Sequence, residues 1–332
     1  WKQCVRTVNA AAGEALGQGF VKATLGSEGK ETVRSMIRGI ESAMEANLKS
    51  LAWMDDTTRG RALEKLHSIN NKVAYPDKWR SYDKLEIDRN SLVGNVARAA
   101  AFEHARDLAK LGKPVDRDEW GMSPPTVNAY YNPSMNEMVF PAGILQPPFY
   151  SNERPLAANL GAIGMVMGHE LTHGFDDQGR QFDAKGNMSE WWTPAINAEF
   201  NRRAACVEKQ YGEYTAVGEE HLNGKLTLGE NIADLGGVKL AYNAFKAEMA
   251  KNGAPTVNGF TPEQQFFLGY AQGWCSLERE QVLRLMVMTD PHSPPRFRVV
   301  GVVSNLKEFA DAFQCKAGDK MVRTGADRCE VW

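Results

Sequence analysis

The chain has 332 residues, of which 43% are hydrophobic and 24% are charged, which is ordinary for a soluble globular protein. Its length exceeds the roughly 250–300 residues at which a single core stops growing, so we expect one large lobe with a smaller helical part, or two lobes. The 39 basic and 41 acidic residues give a net charge of −2. The chain therefore lacks the basic excess that would indicate nucleic acid or an anionic membrane as a partner. No apolar run reaches the roughly 18 residues of a membrane span.

The first residue is Trp1 rather than Met, and no signal peptide is visible. We interpret the sequence as part of a longer chain whose missing portion carries a signal, an anchor or a whole lobe. Five cysteines are present and none has the C-x-x-C spacing of a zinc knuckle. They are either free thiols of a cytosolic protein or part of a disulfide framework with a partner elsewhere. They are Cys4, Cys206, Cys275, Cys315 and Cys329.

In chain order, the first predicted elements are helices. Residues 28–70 have apolar side chains at three- and four-residue steps, with Asp55 or Asp56 suited to cap a second helix that ends near Ile69. A further helix is predicted over residues 91–111, ended by Gly112 and Pro114.

The pattern then changes to two short strands at residues 126–131 and 137–140, separated by a turn. Residues 155–175 are mostly apolar and predicted helical, followed by a proline-rich loop at 290–298 and a short helix from Ser304 to Phe313. The other predicted helices cover residues 194–215, 227–250, 261–274 and 276–289. The expected fold is mainly α with a small β-sheet (α+β). We expect residues 1–115 to form a helical segment and residues 116–332 a second domain.

The strongest chemical signal is the H-E-x-x-H motif from His169 to His173. Residues four apart share one face of a helix, so both imidazoles can reach one Zn²⁺ ion. Glu170 can address a water on the open side of that ion and act as a general base. The alternative is two hydrogen-bonded core histidines. A chain with only six histidines rarely contains this motif by chance, so the metal-binding interpretation is favoured.

A third zinc ligand is predicted at Glu230, 57 residues after His173 (230 − 173). Asp234 is four residues further along the same helical face, where it can accept the second ring N–H of a zinc-binding histidine. Alone, these acids are equally typical of a helix N-terminus. The H-E-x-x-H motif, which still lacks a ligand, favours the metal-binding interpretation.

Several motifs together resemble the neprilysin and endothelin-converting enzyme family of zinc metallopeptidases. Residues 168–177 (GHELTHGFDD) are similar to the zinc signature of that family, and residues 229–234 (GENIAD) to its second zinc motif. Residues 127–131 (VNAYY), 139–149 (VFPAGILQPPF) and 329–332 (CEVW) also match, in the order of the family. The resemblance covers the whole chain. It implies a thermolysin-like zincin catalytic domain over residues 116–332, with added helices.

The resemblance implies further roles. Asn128 and Ala129 would hold an extended peptide substrate, which adds as a strand to an exposed sheet edge. Without the resemblance, Asn128 could instead be a turn-forming or strand-end residue. His292 would stabilise the oxyanion, although a lone loop histidine is more often only exposed. Arg298 would bind a substrate carbonyl or carboxylate, and the nearby Arg296 could be confused with it.

An apolar pocket on the leaving-group side would be lined by Ile144, Phe149, Met165, Val166 and Trp274, each of which could instead be ordinary core.

The same resemblance pairs Cys206 with Cys329 and implies partners for Cys4, Cys275 and Cys315 in an N-terminal lobe. The full protein would then be periplasmic, secreted or exposed at the cell surface. Gly273 departs from the larger aliphatic residue frequent in the family, which leaves the size of the pocket open.

The leading functional hypothesis is a zinc endopeptidase that cleaves short oligopeptides on the amino side of large hydrophobic residues. The second is an exopeptidase or dipeptidase of the same chemistry, with Arg298 as a partial anchor for a peptide terminus. The third is a fragment that binds peptides without turnover because its partner lobe is absent.

Overall fold

The structure, a computed structural model, describes residues 1–332 apart from the side chains of residues 26–28. It is mainly helical with little β-structure, as the sequence predicts, and the strands form two small sheets. The helices are α1 (Lys2–Thr24), α2 (Gly26–Ser50), α3 (Asp56–His67), α4 (Leu92–Leu108), α5 (Leu156–Asn159), α6 (Met165–His173), α7 (Pro194–Gly212), α8 (Leu228–Asn252), α9 (Pro262–Gly273), α10 (Glu280–Thr289), α11 (Pro295–Val303) and α12 (Lys307–Ala312). The strands are β1 (Asn70–Ala74), β2 (Tyr130–Asn132), β3 (Glu137–Pro141), β4 (Thr215–Val217) and β5 (Glu220–His221).

The chain divides into two compact units. The first comprises residues 1–33, 71–129 and 139–146, and the second comprises residues 34–70, 130–138 and 147–332. The boundary predicted between residues 115 and 116 lies inside the first unit. The three-stranded sheet has the order β1-β3-β2, and β4 pairs with β5 as an antiparallel hairpin.

In the first unit, α1 is kinked at Ala12, whose backbone is non-helical (φ −150°, ψ 48°). Gly13 and Gly17 face Ser123 and Pro124 so closely that an added Cβ would lie 2.7 Å from Ser123 Cβ and 3.0 Å from the Pro124 ring. The two glycines therefore let α1 lie against this loop.

The second unit contains the crossing of α6 and α8, and two glycines permit it. A Cβ at Gly168 would lie 2.6 Å from the carbonyl oxygen of Gly237, and one at Gly237 would lie 2.6 Å from the amide nitrogen of His169. Backbone therefore lies against backbone at this crossing.

An aromatic cluster fills part of the core of the second unit. Trp332 packs between Trp53 and Trp192, with ring centroids 5.9 and 6.3 Å away, and also contacts Phe175 and Phe200. Phe175 lies two residues after the last residue of α6, so this cluster supports the end of the helix that carries the H-E-x-x-H motif.

Several predicted elements differ from the observed ones. The predicted strand at residues 126–131 is reduced to β2, and the predicted helix at 155–175 contains a π-helical turn, Leu160–Gly164, between α5 and α6. Ser304 does not begin a helix, because it is the C-cap of α11, which starts with Pro295 inside the predicted loop. A proline at the first helical position loses no intrahelical hydrogen bond, so the prolines there begin a helix instead of preventing one.

Within the described residues, no helix combines the length and the apolar character that a membrane crossing requires.

Candidate metal centre

Helix α6 presents His169, Glu170 and His173 together. His169 and Glu170 are buried and His173 is half-buried. The Nε2 atoms of the two histidines are 2.9 Å apart, and one ligand atom from each of the three residues lies within 4.8 Å of the others. The four-residue spacing therefore brings the two rings to one point, as expected for a helix.

Helix α8 brings Glu230 and Asp234 to the same place. Glu230 Oε2 lies 3.2 Å from His169 Nε2 and 3.5 Å from His173 Nε2. Asp234 is fully buried one turn later, with Oδ1 2.8 Å from His169 Nδ1. Both carboxylates thus lie beside the histidines, as the sequence predicts.

Asp176 is a residue whose role the sequence analysis missed. Its Oδ2 lies 2.6 Å from His173 Nδ1, and its Oδ1 accepts hydrogen bonds from the backbone N–H groups of Gln178 and Gly179. The signal was available, because Asp176 follows His173 by three residues inside the zinc signature.

The hydrogen bonding of the two rings fits a metal cation. Each Nδ1 faces a carboxylate, Asp234 for His169 and Asp176 for His173, which favours a proton on that nitrogen. In the neutral rings both Nε2 lone pairs then face each other and the Glu230 carboxylate. Glu230 Oε2 is buried without a hydrogen-bond partner among the described residues. Two imidazole nitrogens and a carboxylate oxygen are the donor set that Zn²⁺ takes.

The pKa values of the cluster also report a site that favours positive charge. Burial acts to lower the pKa of His173, yet Asp176 and Glu230 raise it well above its ordinary value. Burial acts to raise the pKa of Glu230, but the imidazoles of His169 and His173 hold it well below its usual range. Burial raises the pKa of Glu170, against the opposing effect of the two histidines.

Arg298 is buried beside the cluster, in contact with His169 of α6, Asp234 of α8 and Tyr270 of α9. Its Nε and Nη2 groups donate to the two carboxylate oxygens of Asp234 at 2.7 and 2.6 Å, and its guanidinium lies 3.9 Å from the ring centroid of Trp274. Asp234 therefore contacts Arg298 as well as His169. No signal in the sequence pairs these residues, which are 64 positions apart.

His292 precedes α11 and is partly exposed. Its Nε2 lies 3.3 Å from Glu230 Oε2, and its Nδ1 lies 2.8 Å from Asp290 Oδ1. The imidazole thus lies beside the same Glu230 oxygen as the rings of α6, and its other nitrogen contacts Asp290.

The residues predicted to bind substrate are described unit by unit, beginning with the second. Met165 and Val166 are buried on α6, and Phe149 is half-buried next to Gly273, where an added Cβ would lie 3.1 Å from its ring. In the first unit, Asn128 is exposed, whereas Ala129 and Ile144 are buried.

The structure contains the disulfide between Cys206 and Cys329 that the family resemblance implies, with Cα atoms 5.5 Å apart. It joins α7 to the C-terminal segment. Cys4, Cys275 and Cys315 are free thiols, and the first two are exposed.

Comparison with known sequences identifies a family and relatives to which the chain is similar. The sequence profile of Peptidase family M13 matches residues 128–329, and the N-terminal profile of the same family matches residues 1–76. An endothelin-converting enzyme homolog of Locusta migratoria is 44% identical over the whole chain, and endothelin-converting enzyme 1 of Homo sapiens is 45% identical. The matches cover 47% and 44% of those proteins, so the chain spans about half the length of the curated relatives it matches.

Solved structures are similar in fold as well as in sequence. The Mycobacterium tuberculosis zinc metalloprotease Zmp1, in complex with an inhibitor, superposes with a TM-score of 0.93 at 44% identity, over 100% of this chain and 51% of that one. PepO from Lactobacillus rhamnosis superposes with a TM-score of 0.88 at 32% identity, over 98% of this chain and 50% of that one.

Proposed function

Because the chain belongs to peptidase family M13, we propose that it carries the catalytic machinery of a zinc metalloendopeptidase. Its substrates would be short oligopeptides, cleaved on the amino side of large hydrophobic residues. The observation that carries the proposal is the convergence of two imidazole Nε2 atoms and the partnerless Glu230 Oε2 within 3.5 Å of one another.

His169, His173 and Glu230 would hold the zinc ion. Glu230 suits this role better than Glu170, because one of its oxygens is close to both Nε2 atoms. When bound, zinc would supply a Lewis acid that polarises the peptide carbonyl and lowers the pKa of a coordinated water to about 7. Asp234 and Asp176 would fix the tautomer and orientation of the two rings.

Glu170 would act as the general base and then the general acid. It would take a proton from the attacking water and deliver it to the leaving amide nitrogen. Its burial supports this role, because burial raises the pKa of the Glu170 carboxyl and so makes its carboxylate a stronger base than that of an exposed glutamate.

His292 and Arg298 would act on the substrate itself. His292 would donate a hydrogen bond to the oxyanion that develops on the substrate carbonyl. Arg298 gives two N–H groups to Asp234, and the other donors of the planar guanidinium would bind a substrate carbonyl or carboxylate on the leaving-group side.

The leaving-group side chain would contact Phe149, Met165, Val166 and Trp274 of the second unit. Asn128 and Ala129 would hold the peptide backbone as an added strand. An added Cβ at Gly273 would lie 3.1 Å from the Phe149 ring, so the glycine lets this ring pack close to the end of α9.

We further propose that the chain acts with an N-terminal lobe of the same protein, in an extracytoplasmic compartment. The Cys206–Cys329 disulfide supports such a compartment, because disulfides persist in oxidising surroundings. Cys4, Cys275 and Cys315 would pair with cysteines of that lobe.

The decisive experiment measures zinc content and cleavage of a short apolar peptide, with and without a chelator. We expect one zinc ion per chain, cleavage that the chelator abolishes, and a loss of about 10²–10⁴-fold in kcat for Glu170→Gln with zinc retained. Full activity of Glu170→Gln would refute the mechanism.

The products distinguish the remaining possibilities. Mass spectrometry that finds internal cleavage supports an endopeptidase, whereas release of terminal residues indicates an exopeptidase. Zinc binding without cleavage by this chain, with cleavage after the preceding segment is restored, would identify the chain alone as a peptide-binding fragment.

A further inference from the structure

Lys65 is a fully buried lysine on α3, and its ammonium group lies among backbone carbonyls. Nζ donates to the carbonyl oxygens of Gly174, Gly179 and Phe182 at 2.6, 2.7 and 2.7 Å. An ammonium has three N–H donors, so these bonds satisfy all of them. All three acceptors belong to the segment that follows α6, which we call the loop of residues 174–182.

The surroundings of the ammonium are otherwise aromatic. The rings of Tyr131, Phe175 and Trp191 have centroids 5.8, 5.4 and 6.0 Å from Nζ. Burial lowers the pKa of Lys65 to about 7, whereas Asp176 and Asp183 act to raise it. A buried ammonium group costs stability unless each of its donors is bonded. The loop of residues 174–182 supplies all three acceptors, so the geometry of this loop and the placement of Lys65 depend on each other.

A short chain of hydrogen bonds leads from Lys65 to a histidine of the metal centre. Lys65 Nζ bonds Gly179 O, the N–H of Gly179 donates to Asp176 Oδ1 at 2.7 Å, and Asp176 Oδ2 lies 2.6 Å from His173 Nδ1. Gly179 also lies directly against His173, because a Cβ there would be 1.7 Å from the His173 carbonyl oxygen. A shift of Gly179 would therefore displace both the backbone and the ring partner of His173.

Lys65 also lies at the C-terminal end of α6. Gly174, whose carbonyl it binds, is the C-cap of that helix. The carbonyl end of a helix carries partial negative charge, and a cation there is favourable. The same lysine thus fixes the end of the helix and the loop that carries Asp176.

From these contacts we propose that Lys65 is a positioning residue for the metal centre, which sets the orientation of His173 through the loop of residues 174–182 and Asp176. The inference rests on the proposed role of His173 as a zinc ligand. Lys65 touches neither substrate nor metal in this proposal.

The test compares zinc affinity in three variants of the whole chain. Lys65→Met keeps the length of the side chain without its donors, and Lys65→Gln keeps two donors without the charge. Lys72→Met is the matched control, since Lys72 is also buried but lies in the first unit, where it donates to the carbonyl of Glu119. Each variant is first checked for cooperative unfolding.

We expect zinc to bind about 10-fold more weakly to Lys65→Met, less so to Lys65→Gln, and unchanged to Lys72→Met, as for loss of a group that orients a metal ligand. In the metal-free protein, amide exchange at Gln178 and Gly179 should be faster in the two Lys65 variants, because those amides bind Asp176.

Unchanged zinc affinity in either folded Lys65 variant would overturn the proposal, as would an equal loss in Lys72→Met. If Lys65→Met does not fold, Lys65→Gln decides the question. If the wild-type chain itself binds no zinc, the proposed function fails. If the wild type and the Lys65 variants bind zinc with equal affinity, only the proposed role of Lys65 fails.

Discussion

At the scale of single residues, the metal centre depends on what each histidine contacts through Nδ1, the ring nitrogen that faces away from the other histidine. His169 and His173 both direct Nδ1 at an aspartate, and these aspartates come from different helices or loops. The two aspartate carboxylates favour a proton on Nδ1 of each ring, and so leave Nε2 of each ring free to bind a cation.

Asp176→Asn should weaken zinc binding by about 10–100-fold, because an amide neither fixes the His173 tautomer nor raises its basicity as a carboxylate does. Zinc titration against a competing chelator measures this change. Asp177→Asn is the control, since Asp177 follows directly but bonds the side chain of Gln178. Equal effects of the two variants would mean that the negative charge alone, and not the contact with His173, matters.

The sequence was sufficient to predict that His169, Glu170, His173, Glu230 and Asp234 lie together, because helical spacing and ligand chemistry constrain them. It was not sufficient for Lys65, which meets its carbonyls 109 or more positions away. A lysine in an amphipathic helix ordinarily points to water, and only the packed structure reveals that this one is buried.

At the scale of secondary structure elements, the two ligand-bearing helices are held together by their backbones. Gly168 and Gly237 allow α6 and α8 to touch directly beside His169. The sequence shows glycines on both helices, but periodicity cannot tell which ones face a neighbouring backbone.

Gly237→Ala should push α6 and α8 apart, because its methyl group would lie 2.6 Å from the His169 amide nitrogen. We expect a loss of about 1–3 kcal/mol in the free energy of unfolding, together with weaker zinc binding, since the ligands come from both helices. Chemical denaturation and zinc titration measure the two effects.

Gly60→Ala is the matched control for that substitution. Gly60 lies inside α3 with no atom within 4 Å of an added Cβ. The change should stabilise the protein by about 0.5–1 kcal/mol, because alanine loses less backbone entropy than glycine in a helix. Destabilisation at both positions would argue against a specific role of the crossing.

Local patterns located most helices but misjudged their ends where tertiary contacts intervene. The start of α11 at Pro295 and the π-helical turn before α6 illustrate this limit. Proline is read as a helix breaker unless its position in the first turn is known. A π-helical turn has no sequence period of its own to distinguish it from an α-helix.

At the scale of the whole molecule, the Cys206–Cys329 disulfide ties residues 123 positions apart within the second unit. Its position followed from the family resemblance, not from the spacing of the five cysteines. The division into two units with interleaved segments, in contrast, is a property of long-range contacts that no local pattern reports.

Replacing both cysteines by serine should lower the free energy of unfolding by about 2–5 kcal/mol, since a long closed loop restricts the unfolded chain. Thermal unfolding of the wild type and of the double variant, each with and without reductant, measures the change. Reductant should affect only the wild type. An unchanged melting temperature in the double variant would show that the bridge contributes nothing to stability.

The cluster of Trp53, Trp192 and Trp332 with Phe175 has a spectroscopic consequence. Three indoles with neighbouring centroids 5.9–6.3 Å apart in a rigid, asymmetric setting should give an intense near-ultraviolet circular dichroism signal. That signal is lost when side chains begin to move, even while helices persist. The protein therefore carries an optical probe that registers loosening of its interior before any helix melts, and Phe175, which contacts that probe, lies two residues from His173.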